Sequence, residues 1–202
     1  MSKSVLEKAI SEKYLFKEYS SSYPRLFTSQ KRFLSKALKP IKKKEIHHIG
    51  STSVPKLGGK KVLDIIVLVP KKLIPKARKL LEKAGFKFHH SMRERFFHQK
   101  YYLDSSNAPR GFLKKGKSKK RSSPIGSPRL IHLHLTHFDS GELELALAFR
   151  DYLREHKTTR LQYEKIKRKA SKHHHLNGEK YAKYKLDFVK KTLKKALKWY
   201  KE

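Results

Sequence analysis

The sequence has no cysteine. That excludes a disulfide framework and any metal site built on thiolates. Acidic residues are scarce too: 17 Asp and Glu stand against 51 Lys and Arg, a formal net charge of +34 on 202 residues. Long apolar runs are also missing. The best, Val62 to Val69, carries Asp64 inside it and is far shorter than a membrane span. The first residues include Glu7, Glu12 and Glu18 and no uninterrupted apolar stretch, so they do not read as a signal peptide. The expectation is a soluble, cytoplasmic chain with no membrane partner.

What is present is positive charge, and it reads in two ways. Self-repulsion at this level favours a phosphate-rich partner, a nucleotide or RNA or another polyanion. Equally, Lys is the default solvated residue of a lysine-rich proteome. Lys heavily outnumbers Arg, and specific phosphate or base recognition favours Arg. Both readings stay open. Hydrophobic residues make up 37% of the chain, with Phe and Tyr spread along it, and the length suits one domain with a real core.

Apolar spacing predicts helices over residues 3 to 18 and from Leu26 to Leu38, the second ending before Pro40. Ile46 to Ile49 reads as a short strand, and the Gly-rich stretch Ser51 to Lys61 as a loop or short helix. Val62 to Val69 is the strongest strand, apolar enough to be buried on both faces. Leu73 to Ala84 is a helix closed by Gly85. Phe86 to His90, Arg95 to Leu103 and Leu130 to Thr136 are strands, the last alternating Leu130, His132 and His134 with Ile131, Leu133 and Leu135. Helices follow at Leu143 to Leu153 and Leu161 to Ala170. A third carries the stripe Ala182, Leu186, Val189, Leu193, Ala196 and Tyr200. This order is α+β, or mixed α/β. The expected organisation is a single domain over 1–202, with N-terminal helices in 1–40, a sheet core in 41–138 and C-terminal helices in 139–202. Within the core lies a loop at 104–128 holding the basic cluster Lys114, Lys115, Lys117, Lys119, Lys120 and Arg121. That cluster is a nucleic-acid arm or merely a charged insertion.

Several constellations can carry chemistry. A strand that runs into Gly50, Ser51, Thr52 and Ser53 can bring backbone N–H groups and hydroxyls close to a phosphate, although the same residues serve turn geometry and N-capping. Asp64 is a carboxylate in an apolar strand, costly to bury alone, so it must meet a basic side chain or a metal such as Mg²⁺. His132 and His134 share one face of their strand and are candidates for a general base or for structural histidines. Arg150 beside Asp151 is either a phosphate clamp or an ion pair between helices. His173, His174 and His175 cannot all face one point and read as a solvated loop before Gly178.

Gly50-Ser51, twelve further residues, then Asp64-Ile65-Ile66-Val67 resembles the nucleotidyltransferase superfamily signature. The longer string His47-His48-Ile49-Gly50-Ser51-Thr52-Ser53-Val54-Pro55-Lys56-Leu57 resembles the GrpB family specifically, with Lys56 where a glycine is usual. His132-Leu133-His134, Ala148 to Arg154, and the two Tyr-plus-Lys segments Tyr163 to Lys167 and Tyr181 to Lys185 resemble later motifs of that family in the same order. The resemblance spans about residues 16 to 198. It implies a small mixed sheet flanked by helices, with Ser51 and Asp64 facing one cleft. It also implies a nucleoside triphosphate (NTP) substrate whose nucleotidyl group passes to an unknown acceptor with the aid of Mg²⁺. In that scheme Asp64 holds the metal, Gly50, Ser51, Thr52 and Ser53 hold phosphates, Lys61, Arg95 and Arg150 neutralise charge, and His134, with His132, works as base. One departure matters: working nucleotidyltransferases carry a second acid two residues after the first, and here that position is Ile66. The alternative is a binding module for nucleotides or nucleic acid that keeps the fold without the chemistry.

Overall fold

The computed structural model describes residues 14–92, 94–102 and 129–202. The expected basic cluster at 114–121 and residues 3–13 of the first expected helix lie outside the described residues. Five strands form one mixed sheet in the order β1-β2-β5-β4-β3: β1 (Glu45–Ile49), β2 (Val62–Val69), β3 (Lys87–Met92), β4 (Arg95–Tyr102) and β5 (Arg129–His137). The pairs β1/β2, β3/β4 and β4/β5 are antiparallel, and β2/β5 is parallel. The helices are α1 (Tyr23–Ala37), α2 (Ile74–Lys83), α3 (Glu142–Glu155), α4 (Lys157–His174) and α5 (Gly178–Lys201). This is the expected α+β arrangement, a small mixed sheet flanked by helices with a helical C-terminal part. No helix among the described residues is long and apolar enough to cross a membrane.

The alternation of β2 explains the layering. Leu63, Ile65, Val67 and Val69, with Ile131, Leu133 and Leu135 of β5, pack on Leu26, Leu34 and Leu38 in and just after α1, and on Ile74, Ala77 and Leu81 of α2. The opposite face carries Ile66 and Leu68, which with Ile49 pack on Leu143, Ala146 and Leu147 of α3. Asp64, His132 and His134 belong to this second face, because residues two apart on a strand point the same way. The sheet register sets Asp64 between Ile49 and His132.

Local chemistry explains the element ends. Pro24 sits in the first turn of α1 and Pro75 in that of α2, where a missing N–H is harmless. Asn177 caps α5, its side chain accepting from the Lys180 N–H at 2.9 Å.

Three expectations need correction. Residues 14–18 are extended rather than helical: Lys17 and Gly59 exchange two backbone hydrogen bonds of 2.8 Å, a pairing the helix would forbid. His173 and His174 form the last turn of α4 instead of a loop, since buried Ala170 and Ser171 hold the helix down and no breaker comes before Gly178. The stripe expected on α5 is rotated. Leu186 and Tyr200 are exposed, while Tyr181, Thr192 and Ala196 are buried and Phe188 packs inward, so the inner face also includes Lys185.

Ile65 lies at the centre of the larger core with no solvent exposure. Ile65→Ala should lower unfolding stability by about 2–5 kcal/mol, as other large core truncations do. Urea melts would read this as a lower midpoint with an unchanged slope, and a loss under ~1 kcal/mol would contradict the packing described.

Candidate functional site

The cleft begins where β1 turns over β2. Gly50 has φ +70° and ψ −172°, a backbone conformation essentially reserved for glycine. Its Cα also lies directly against Asp64: a Cβ there would fall on the carboxylate. Glycine is thus required twice, once for the turn and once for the acid. The 3-10 turn Ser51–Ser53 follows. Ser53 Oγ donates to the Gly50 carbonyl at 2.6 Å, and His48 Nε2 pairs with Thr52 Oγ1 at 2.9 Å. The His48 ring stacks on Phe27, and burial lowers its pKa to about 4. It is a neutral strut at physiological pH.

Asp64 is 15% exposed on β2. His132 Nδ1 lies 3.3 Å from Asp64 Oδ1, and Lys60 Nζ lies 3.4 Å from the same nitrogen. A carboxylate only accepts, so the Nδ1 proton points to Asp64 and the Lys60 ammonium stands beside the ring. Burial pushes the Asp64 carboxyl up. The hydrogen bond from His132 and the nearby charges of Lys60 and the histidines outweigh it, and the group is held well below the usual carboxylate range.

Two helices deliver further cations to this acid. Lys167 of α4 is 2% exposed, donates to the Gly58 carbonyl and lies 4.9 Å over the Tyr163 ring. Lys185 of α5 lies 5.3 Å over the Tyr181 ring. Each lysine rests on the tyrosine four residues before it, one helical turn back. The Asp64 charge acts on both lysines and on both tyrosines, whose hydroxyls burial pushes up. Burial brings Lys167 down to about 7 and Lys60 down to about 8, and pushes Lys185 down as well.

The loop between the turn and β2 is bolted to α4. Gly58 N donates to Glu164 at 3.0 Å while its carbonyl accepts from Lys167. Val54 and Leu57 pack on Leu153 and Tyr163. At Gly59 a Cβ would sit 2.8 Å from Ser51 Oγ and 2.9 Å from Lys167 Nζ, so this glycine lets hydroxyl and ammonium share one side of the cleft. Tyr14 closes the outer edge, 5.4 Å from the Tyr181 ring and 5.6 Å from Lys60 Nζ.

The residues singled out from the sequence divide. Gly50, Ser51, Asp64 and His132 meet in the cleft. Thr52 and Ser53 brace its turn. His134 lies on the same face, but its Nδ1 is buried without a hydrogen-bond partner among the described residues. Its ring packs 5.3 Å from Phe97, and burial, helped by Arg95, lowers it to about 3. Arg95 is paired with Glu142 at the start of α3. Arg150 makes two 2.8 Å bonds to Asp151 and donates to the His48 carbonyl at 3.1 Å, which ties α3 to β1. Arg154 likewise holds the Ser53 carbonyl at 2.7 Å. Lys60, next to the expected Lys61, is turned toward His132 and Asp64. Lys167, Lys185, Tyr163 and Tyr181 were missed as site residues. Their signal was visible: the same Tyr-x-x-x-Lys spacing occurs twice, on successive helices.

The donor set does not make a metal site of its own. Among the described residues, Asp64 is the acid at the centre of the cleft, and Glu164, which also acts on Lys167, is bonded to Gly58 N and Arg168. Ile66, at the position of a second acid, is fully buried under α3. Among the described residues no three His, Asp or Glu side chains gather as metal ligands.

Comparison with known proteins agrees with this architecture. The GrpB protein family model matches residues 15–195. The UPF0157 protein BH1888 of Halalkalibacterium halodurans is 27% identical over 184 residues, 89% of this chain and 80% of that protein. The UPF0157 protein YqkA of Bacillus subtilis is 28% identical over 156 residues, 77% of this chain but only 39% of its own length. The crystal structure of the conserved protein GrpB from Enterococcus faecalis superposes with a TM-score of 0.71 at 27% identity, covering 93% of this chain and all of that one. The terminal uridylyl transferase Cid1 is more remote, with a TM-score of 0.47 and 12% identity over 83% of this chain and 44% of Cid1, too far to bear on chemistry. With the family match running over nearly its whole length, the chain belongs to the GrpB family.

Proposed function

We propose that the cleft binds a nucleoside triphosphate through its phosphate chain and transfers the nucleotidyl group to a hydroxyl-bearing acceptor. One observation carries this reading: Lys60, Lys167 and Lys185 come from three different elements to the reach of one central carboxylate, Asp64. Three lysines against Asp64, with Glu164 also acting on Lys167, leave a surplus of positive charge in a buried place even with Lys167 partly neutral. Such a surplus is expensive unless an anion fills it. A phosphate chain fits, with Ser51 Oγ as a further donor on the same side as Lys167. The Gly50-Ser51…Asp64 signature supports transfer as the chemistry. The site draws on the N-terminal strap, the sheet and the C-terminal helices together, which supports one domain over 1–202.

In the transfer, the acceptor oxygen bonds to the α-phosphorus, and the bond from that phosphorus to the oxygen bridging the β-phosphate breaks. Pyrophosphate leaves, and the hydroxyl proton goes to Asp64. Bound phosphates offset the lysine charge that holds this carboxyl down, which makes Asp64 a better acceptor when substrate is present. His134 is a weaker choice, because burial, the main cause of its low pKa, persists with substrate bound. Magnesium, expected on Asp64, finds one carboxylate already bonded by His132 and no second acid, so no step is assigned to it.

A second reading, a non-catalytic binder of nucleotides or RNA, is favoured by the apolar residue at position 66.

Two outcomes test the first reading. Calorimetry with the four ribonucleoside triphosphates should show binding, and Asp64→Asn, which deletes the cleft's negative charge, should bind as tightly or more so. Release of pyrophosphate should be lost in that variant. Unchanged turnover in Asp64→Asn, or no triphosphate binding by the wild type, would sink the proposal. Tight binding without pyrophosphate release from the wild type would favour the binder.

Affinity should also depend on pH. Lys167 is partly neutral near pH 7, because burial, Lys185 and Lys60 lower its pKa more than Glu164 and Asp64 raise it. A bound phosphate stabilises the charged form and raises the pKa. Binding therefore takes up protons, and affinity falls as pH rises from about 7 to 9. Titrations in buffers of different ionisation enthalpy read the uptake directly. An affinity flat across that range would show that Lys167 does not face the ligand.

A further inference from the structure

The acids around the cleft are already committed. Asp64 Oδ1 faces His132 at 3.3 Å, and the other side of its carboxylate lies against the Gly50 Cα. Glu164 holds Gly58 N at 3.0 Å and Arg168 at 2.9 Å. Glu142 is paired with Arg95, and Asp151 with Arg150 and Arg154. Magnesium needs near-octahedral oxygen ligands and holds its own waters tightly, so a protein usually anchors it with one or two carboxylates that are open to it. Here the single candidate is bonded to an imidazole, with an ammonium next to that imidazole. Lys60, Lys167 and Lys185 act on one another as well as on Asp64, so a dication entering among them would meet like charge on several sides.

The arrangement of those lysines is what a metal would otherwise provide. Lys60 approaches from the foot of β2, Lys167 from α4 and Lys185 from α5. The two helical lysines rest on Tyr163 and Tyr181, which keep their stems in place.

We infer, on the basis of the nucleotide-binding reading above, that Lys60, Lys167 and Lys185 take the place of a divalent cation, and that the cleft accepts the metal-free triphosphate anion. Magnesium chelated by the phosphates would reduce the charge the lysines recognise and would bring a dication among them. The preferred ligand is therefore the uncomplexed polyphosphate, and magnesium acts as a competitor for it.

The test titrates the full chain with each ribonucleoside triphosphate and with inorganic triphosphate. One series contains EDTA, the other excess magnesium chloride at matched ionic strength. Binding in EDTA should be at least as tight as in magnesium for every ligand that binds. Binding that appears only with magnesium, or is tightened by it, overturns the inference while leaving nucleotide binding intact. Absence of binding in both series overturns the inference and the nucleotide reading together. A Lys167→Met/Lys185→Met double variant, checked for cooperative thermal unfolding, should lose about tenfold or more in EDTA, since two charge-assisted contacts go. Added magnesium should then restore part of the loss. A double variant that folds and binds in EDTA like the wild type overturns the inference.

Discussion

A carboxylate in the middle of a buried strand is the constraint around which this fold is arranged. β2 is otherwise apolar and central, and an unpartnered charge there would cost several kcal/mol. Every neighbour of Asp64 bears the mark of that problem. Gly50 gives up a side chain to make room, His132 supplies a hydrogen bond from the adjacent parallel strand, and Lys60 adds charge from the loop below. Lys167 and Lys185 add more from helices far along the chain. One lysine would have balanced the acid. Three exceed what stability asks for, and that excess is what the proposed anion site draws on.

The loop from Val54 to Lys60 couples sheet to helices. Its apolar residues enter the small core under α3 and α4, while its backbone is gripped on both sides of Gly58. The β1 end of the cleft is held separately, by Arg150 and Arg154 reaching from α3 to the carbonyls of His48 and Ser53. These arginines act on backbone, and Asp151 sets their fork geometry. Their work is to fix the distance between the Ser51 turn and the helices that bear the lysines.

Much of the fold was legible because its strands are strongly patterned. β2 was bounded to the residue by Val62 and Pro70, and β5 by its leucine–histidine alternation. The α2 end followed from Gly85, which has φ +85°. What local pattern misreads is determined by distant contacts. Residues 14–18 have helical spacing but pair with Gly59, a partner some forty positions away. The apolar stripe on α5 is rotated because an apolar pattern leaves out Lys185, whose long aliphatic stem over the Tyr181 ring carries its ammonium inward. The acid half of the site, Gly50, Ser51 and Asp64, was readable from one short segment. The cationic half was not, since it comes from three places and lysine is common everywhere in this chain.

That abundance invites the view that the lysines are background and that phosphate recognition would have called for arginine. The cleft points the other way. A guanidinium stays charged in any surroundings, so three arginines packed around one carboxylate would repel one another whenever the site stood empty. A buried lysine can release its proton, as the fall of Lys167 to about 7 shows it is near to doing at physiological pH. On the proposed reading, the empty cleft sheds part of its excess charge and regains it when an anion arrives. Arg150 and Arg154 hold backbone in place, where permanent charge and fixed geometry are useful. Lysine faces the cleft, where, on the proposed reading, charge has to follow occupancy.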